Sequence, residues 1–249
     1  MLQIDQRDSG VVVLRLAHGK VNALDVELLE AIIVAFGEVA DAPAVVLTGE
    51  GSSFCAGVDL RRIAGASDAS EIAEFLDALS RALLTVFTHP RPVVAAVNGH
   101  AIAGGCVLAA AADVRLMSGG SMGLTELKVG VAFPTAALEI ARHAAGAKAQ
   151  SLILTGALIT PEEAVEVGLI DRVVSSGDLM GTAMTKAQAL ARIPVASFEI
   201  TKRQLHAPAM AAIAREYEIY DAIVAHTWTS DSGRVAISGF LANLNRSRS

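Results

Sequence analysis

Apolar residues along this chain recur with two different spacings, and the alternation between them predicts an α/β fold. Val11-Val12-Val13-Leu14-Arg15-Leu16, Ala44–Thr48, Val93–Val97 and Asp113–Met117 are short, largely β-branched or small apolar runs. They read as buried strands. Between the first two runs, Asn22 to Phe36 places Leu24, Leu28, Ile32 and Ala35 at steps of three and four, with Asp25 and Glu27 at its positive end. That pattern predicts a helix. Ser70 to Phe87 predicts a second amphipathic helix, capped by Ser70 with Glu71 and Glu74 in its first turns. Pro90 and Pro92 bracket the entry to the third strand. Strand–helix alternation implies right-handed crossovers and a parallel sheet or solenoid. Further on, Thr160 and Pro161 open a helix over 162–166. From Asp178 the pattern is almost wholly helical, with breaks expected at Ile193-Pro194 and Ala207-Pro208 and a frayed tail over 245–249. These readings divide the chain into a core over 1–190 and a helical C-terminal region over 191–249.

Composition narrows the class. Of the 249 residues, 53% are hydrophobic and only 18% charged, enough to bury a large core and to hide further surface in an oligomer. The net charge of −6 comes with no basic face, which argues against a nucleic-acid partner. Charged residues interrupt every long apolar run, and the N-terminus lacks the apolar stretch of a signal peptide, so a cytoplasmic protein without a membrane partner is expected. Cys55 and Cys106 are the only cysteines and suit a reducing compartment, although the sequence leaves a disulfide between them open.

Two glycine-bearing loops carry the candidate chemistry. Gly49-Glu50-Gly51 meets Phe54 where a dinucleotide fingerprint needs its third glycine. Gly99 to Gly104 meets Gly105 where a phosphate loop needs lysine. No spacing of His and Cys suggests a metal, and none is expected. Gly104-Gly105 before a helical run, and Phe54-Cys55-Ala56-Gly57-Val58-Asp59-Leu60 after a strand, instead offer free N–H groups that a small anion or a developing oxyanion can approach. Taken singly, each loop is better read as a tight turn that lets a helix pack on a strand.

Together with other segments these loops resemble the signatures of the crotonase superfamily, the enoyl-CoA hydratase/isomerase family. Phe54–Leu60 resembles the first signature, Asn98–Cys106 the second and Met122–Gly130 the third. Lys20-Val21-Asn22-Ala23-Leu24 is similar to the usual N-terminal element, and Gly156–Val173 to a later one. The matches run in family order over most of residues 10 to 175.

The resemblance implies a spiral of ββα units with a helical C-terminal trimerisation region, assembled as a trimer or a dimer of trimers. It implies a coenzyme A thioester as substrate, with no separate cofactor. By position it assigns oxyanion amides to Val58 and Gly104, the coenzyme A path to Lys20, Val21, Leu60 and Arg61, and the acid/base carboxylate to Glu126. Apolar Leu124, Leu127 and Val129 around that carboxylate would raise its pKa.

One position departs from the pattern. Hydratases of the family carry a second glutamate where this chain has Val107, and Phe133-Pro134-Thr135-Ala136-Ala137 replaces their glycine-rich continuation. Val107, Phe133 and Pro134 are expected to shape the acyl pocket. Valine cannot hold water, whereas one carboxylate suffices to move a proton. The expected activity is therefore double-bond isomerisation of an enoyl-CoA. The alternatives are hydration with another group, such as Glu139 or water held by the main chain, and acyl-CoA binding with little turnover.

Overall fold

The first strand is one that its polarity hides from the hydrophobic pattern. β1 (Leu2–Gln6) pairs antiparallel with β2 (Val12–Leu16), Leu2 opposite Leu16 and Gln6 opposite Val12, and forms an exposed edge. The computed structural model describes residues 1–246. After β2 come α1 (Val26–Glu38), β3 (Val45–Gly49), β4 (Ser53–Cys55), α2 (Leu60–Gly65) and α3 (Ala69–Phe87). A second round follows with β5 (Val93–Val97), β6 (His100–Ile102) and α4 (Gly104–Ala110). The third has β7 (Val114–Met117), β8 (Met122–Gly123), α5 (Glu126–Val129), α6 (Thr135–Ala145) and α7 (Ala149–Thr155). Then come β9 (Leu158–Ile159), α8 (Pro161–Glu166), β10 (Arg172–Val173), α9 (Leu179–Ala191), α10 (Val195–Thr229) and α11 (Asp231–Arg246).

Each round places one strand in a large sheet, one in a small sheet and then a helix, so the chain winds as a spiral of ββα units. The large sheet has the order β1-β2-β3-β5-β7-β10 and is parallel from β2 onward. The small sheet has the order β4-β6-β8-β9, with only β9 antiparallel. Side chains alternate across the large sheet. Val12, Leu14 and Leu16 face the main core with α1 and α3, while Val11, Val13, Val46, Val94 and Ala96 face Leu179, Ala183 and Ala187 of α9. Burial on both faces explains why these strands read as unbroken apolar runs.

Helix ends shift from their expected places for local reasons. α1 begins at Val26 rather than Asn22, because Asp25 accepts the Leu28 N–H at 2.9 Å while Asn22 is left-handed at φ +53°. α3 is capped by Asp68, not Ser70, through the N–H groups of Ser70 and Glu71. Thr160 and Glu163 complete a capping box on α8, as the sequence suggests. Pro194 ends the helical run as expected, but Pro208 lies inside the 35-residue α10. Packing of α10 along α6 and α3 outweighs the one backbone hydrogen bond a proline removes. The tail expected to fray is helical through Arg246, and its residues 247–249 lie outside the described residues.

Candidate active site

Glu126 opens the single turn of α5. Gly130 closes that turn in the left-handed conformation at φ +93°, and the N–H groups of Gly130 and Val131 both donate to the Glu126 carbonyl, at 3.1 and 3.2 Å. The carboxyl is buried, and its Oε2 has no hydrogen-bond partner. Burial pushes its pKa up to about 8, opposed only by its own backbone N–H. Leu124, Val129 and Val131 are buried nearby in sequence, but Leu127, expected to join them, is 41% exposed.

The two glycine loops meet. A Cβ on Gly57 would lie 2.5 Å from the Ile102 carbonyl oxygen, and one on Gly105 would lie 2.2 Å from that of Cys55. Only glycine lets the start of α4 approach β4 this closely. A Cβ on Gly104 would come within 3.9 Å of the Val58 side chain and 3.0 Å of Leu24. Leu24 in turn bridges the first loop, donating to the Gly57 carbonyl at 2.8 Å and accepting from the Asp59 N–H at 2.9 Å. Among the described residues, no acceptor takes the N–H of Val58 or Gly104. Ala103, which precedes α4, is held at φ +50°, ψ −124° by its N–H to the Gly123 carbonyl and its carbonyl to the Val107 N–H.

Behind these loops, Val107 is fully buried one turn into α4. Phe133 and Pro134 are also buried. The segment they occupy is tied to α10. Ala132 donates its N–H to Thr227 Oγ1 at 3.0 Å, its carbonyl accepts from Trp228 Nε1 at 2.9 Å, and Thr135 N–H donates to Asp221 at 3.0 Å. No sequence signal pointed to Asp221, Thr227 and Trp228, which lie 86 to 96 residues from their partners.

Of the coenzyme A candidates, Lys20 and Arg61 are exposed, and Val21 and Leu60 are half-buried. The Val21 carbonyl accepts the Ala56 N–H at 3.0 Å, which lays the Lys20 segment beside the first loop. Asn22 fixes that placement, its Nδ2 donating to the carbonyls of Glu50, Ser53 and Phe54 at 3.0 to 3.2 Å. The sequence reading missed Asn22, as it missed the pair formed by His18 and Asp25 at 2.6 Å.

Both cysteines are buried free thiols. Burial pushes Cys55 up to about 12; Cys106 is raised by burial and then by the Glu126 carboxylate nearby. Glu139, a candidate second group, is buried with an elevated pKa, but its charged neighbours are Arg142, Glu216 and Arg215 rather than Glu126. Its Oε1 lies 2.8 Å from Arg142 Nη1 without hydrogen-bond geometry. Among the described residues no cluster of His, Cys, Asp and Glu fits a metal ion. A cavity of about 300 Å³ lies elsewhere, against Phe87, Asp113, His143, Lys202 and His206, and none of its lining residues belongs to the loops or to α5.

Comparison with known proteins identifies the family and the fold. A family model described as enoyl-CoA hydratase/isomerase matches residues 6–246. A putative enoyl-CoA hydratase from Thermus thermophilus is 31% identical over 239 residues, covering 94% of this chain and 93% of that protein. The human mitochondrial delta3-delta2-enoyl-CoA isomerase structure superposes with a TM-score of 0.93 at 23% identity, covering 100% of this chain and 99% of the other. A Mycobacterium tuberculosis protein, described as an enoyl-CoA isomerase in one structure and as a probable enoyl-CoA hydratase in another, superposes in the first with a TM-score of 0.79 at 26% identity, covering 87% of this chain and 96% of the other.

Proposed function

Because the chain belongs to the enoyl-CoA hydratase/isomerase family, we propose that it isomerises enoyl-CoA thioesters with Glu126 as its one proton carrier. Relatives are named for both hydration and isomerisation, so the reading rests on the site. The observation that carries it is a buried Glu126 whose Oε2 has no hydrogen-bond partner, together with fully buried valine, not glutamate, at position 107.

Ionised Glu126 removes a proton from C2 of a 3-enoyl thioester. Electrons shift onto the thioester oxygen, which the N–H groups of Val58 and Gly104 receive, stabilising the dienolate by a few kcal/mol each. Glu126 then returns the same proton to C4, leaving the 2-enoyl thioester and a carboxylate ready for another cycle. The carboxyl pKa of about 8 suits this exchange, because a group poised near working pH both takes and gives a proton. Lys20 and Arg61 receive the phosphates of coenzyme A, the only cofactor portion involved, and it arrives as part of the substrate.

Turnover and binding of Glu126→Gln test the reading. Isomerisation of a 3-enoyl-CoA falls about a hundredfold or more, while a saturated acyl-CoA binds within about threefold of wild type, a small change in binding free energy. Wild-type protein hydrates crotonyl-CoA slowly relative to isomerisation, followed as loss of thioester absorbance. Unchanged isomerisation in the variant, or brisk hydration by wild type, overturns the assignment.

A further inference from the structure

Resting on the reading that Lys20 and Arg61 receive the phosphates of coenzyme A, we propose that His18 is a positioning residue for that ligand. It fixes Lys20 relative to Arg61 through the Asp25 carboxylate. The two cations lie on different segments of the chain. Lys20 is the middle residue of a tight turn over 18–22 that is closed in both directions. Asn22 N–H donates to the His18 carbonyl at 3.0 Å, and His18 N–H donates to Asn22 Oδ1 at 2.9 Å. Arg61 lies in the first turn of α2, its N–H donating to the Asp59 carboxylate at 3.0 Å. Both residues are exposed, and among the described residues neither side chain takes part in an ion pair. They are left free for a ligand that brings its own negative charge.

One buried carboxylate joins these segments. Asp25 is 4% exposed, and its Oδ2 lies 2.6 Å from His18 Nε2 and 3.6 Å from Arg62 Nη1. Its Oδ1 accepts the Leu28 N–H at 2.9 Å, which ties the same group to the start of α1. His18 stands two residues before Lys20, and Arg62 directly follows Arg61. Arg62 is held a second time, by Glu27. Leu24, next to Asp25, adds its main-chain bridge to Gly57 and Asp59. Burying a carboxylate costs free energy that its donors must offset, so Asp25 stays where His18, Arg62 and the Leu28 N–H converge. Asn22 anchors the far end of the Lys20 turn, and the His18 ring anchors the near end. A ligand with several phosphates gains from two cations held at a set spacing, because less freedom is lost on binding. Without the His18 contact, only the Asn22 end of the turn keeps a side-chain anchor.

The test compares His18→Gln with His18→Asn. A glutamine amide reaches the position of the imidazole Nε2 and still donates to Asp25, whereas asparagine, one methylene shorter, does not. The His18 side chain is 25% exposed, so either amide remains in contact with water. His18→Asn weakens coenzyme A binding and raises KM for a 3-enoyl-CoA by about tenfold, the scale of one lost hydrogen bond to a charged group. Its kcat stays within about twofold of wild type, as expected when only binding is lost. His18→Gln stays within about threefold of wild type in both binding and KM. On the matching 3-enoyl-pantetheine thioester, which lacks the phosphates, both variants and wild type share one kcat/KM. In a Lys20→Met, Arg61→Met background, His18→Asn has no further effect on coenzyme A binding. In wild-type protein, saturating coenzyme A shifts the His18 imidazole NMR signals and pantetheine leaves them in place, a readout that needs no variant. Equal losses on both thioesters, undiminished coenzyme A binding by His18→Asn, or an additive loss in the doubly substituted background overturns the proposal. Unmoved His18 signals overturn it even where His18→Asn does not fold. Coenzyme A binding with the stated dependence on His18, but no turnover of any enoyl thioester, instead sinks the proton-transfer reading and leaves this one standing.

Discussion

Burial, with Oε2 left without a hydrogen-bond partner, makes Glu126 costly to ionise, and that cost governs both its chemistry and its effect on stability. In the folded chain its pKa rises from 4.5 to about 8. Across that window the native state keeps a proton that the unfolded chain has released. Stability therefore falls as pH rises from about 4.5 to about 8 and levels off above. Glu126→Gln cannot ionise. Urea denaturation of the two proteins at about pH 5 and about pH 9 should show the variant gaining on wild type by a few kcal/mol at the higher pH; a difference that stays constant with pH would contradict this. A second local cost lies beside Gly104. Ala103 at φ +50° occupies backbone space that suits glycine, at a strain of about 1–3 kcal/mol. Sequence pattern signals neither cost: an isolated Glu-Leu-Lys could equally open an exposed helix, and nothing in Ile102-Ala103-Gly104 announces which residue carries the turn.

At the level of elements, the contact between β4 and the start of α4 decides whether the two loops meet. The Cβ of Gly105→Ala would lie 2.2 Å from the Cys55 carbonyl oxygen and 2.8 Å from its carbon, both backbone atoms with little room to give. That substitution should cost about 3 kcal/mol or more, read as a lowered urea midpoint. Gly119→Ala, with nothing within 4 Å of its added Cβ, should stay within about 0.5 kcal/mol. Equal effects at the two positions would remove the close approach from the account. Elements that bury a whole face were legible in advance. Val93–Val97 coincides with β5, and the ends of β2, β3 and β7 differ by a residue from their apolar runs. Caps were less so, because Asp68 and Ser70 are equally good cap residues and only the backbone turn selects between them. β1 was missed because an edge strand exposed on both faces carries too few apolar residues to stand out.

Over the whole molecule, the C-terminal helices do more than extend the core. α10 carries Lys202 to a buried ion pair with Asp113 at 2.9 Å, and its far end carries Thr227 and Trp228 to the segment that follows Glu126. Hydrophobic periodicity finds such a helix but not what it touches, since these partners lie more than eighty residues apart. The two loops drew attention by their glycines and Glu126 only by the resemblance of Met122–Gly130 to a family signature, whereas the anchoring of the Phe133-Pro134 segment required the fold. The same long helix leaves Ile200, Leu205, Tyr217, Ile219, Tyr220 and Ile223 exposed. Among the described residues no helix is long and apolar enough to cross a membrane. The central claim is that one buried carboxylate moves the proton. The measurement that tests it most directly is the pH dependence of kcat/KM for conversion of a 3-enoyl-CoA to its 2-enoyl isomer. A base must be ionised to act, so the rate should climb with pH through about 8, the carboxyl pKa in the free protein, and then level off. A profile already flat between about pH 5 and about pH 9, on either side of that value, would contradict it.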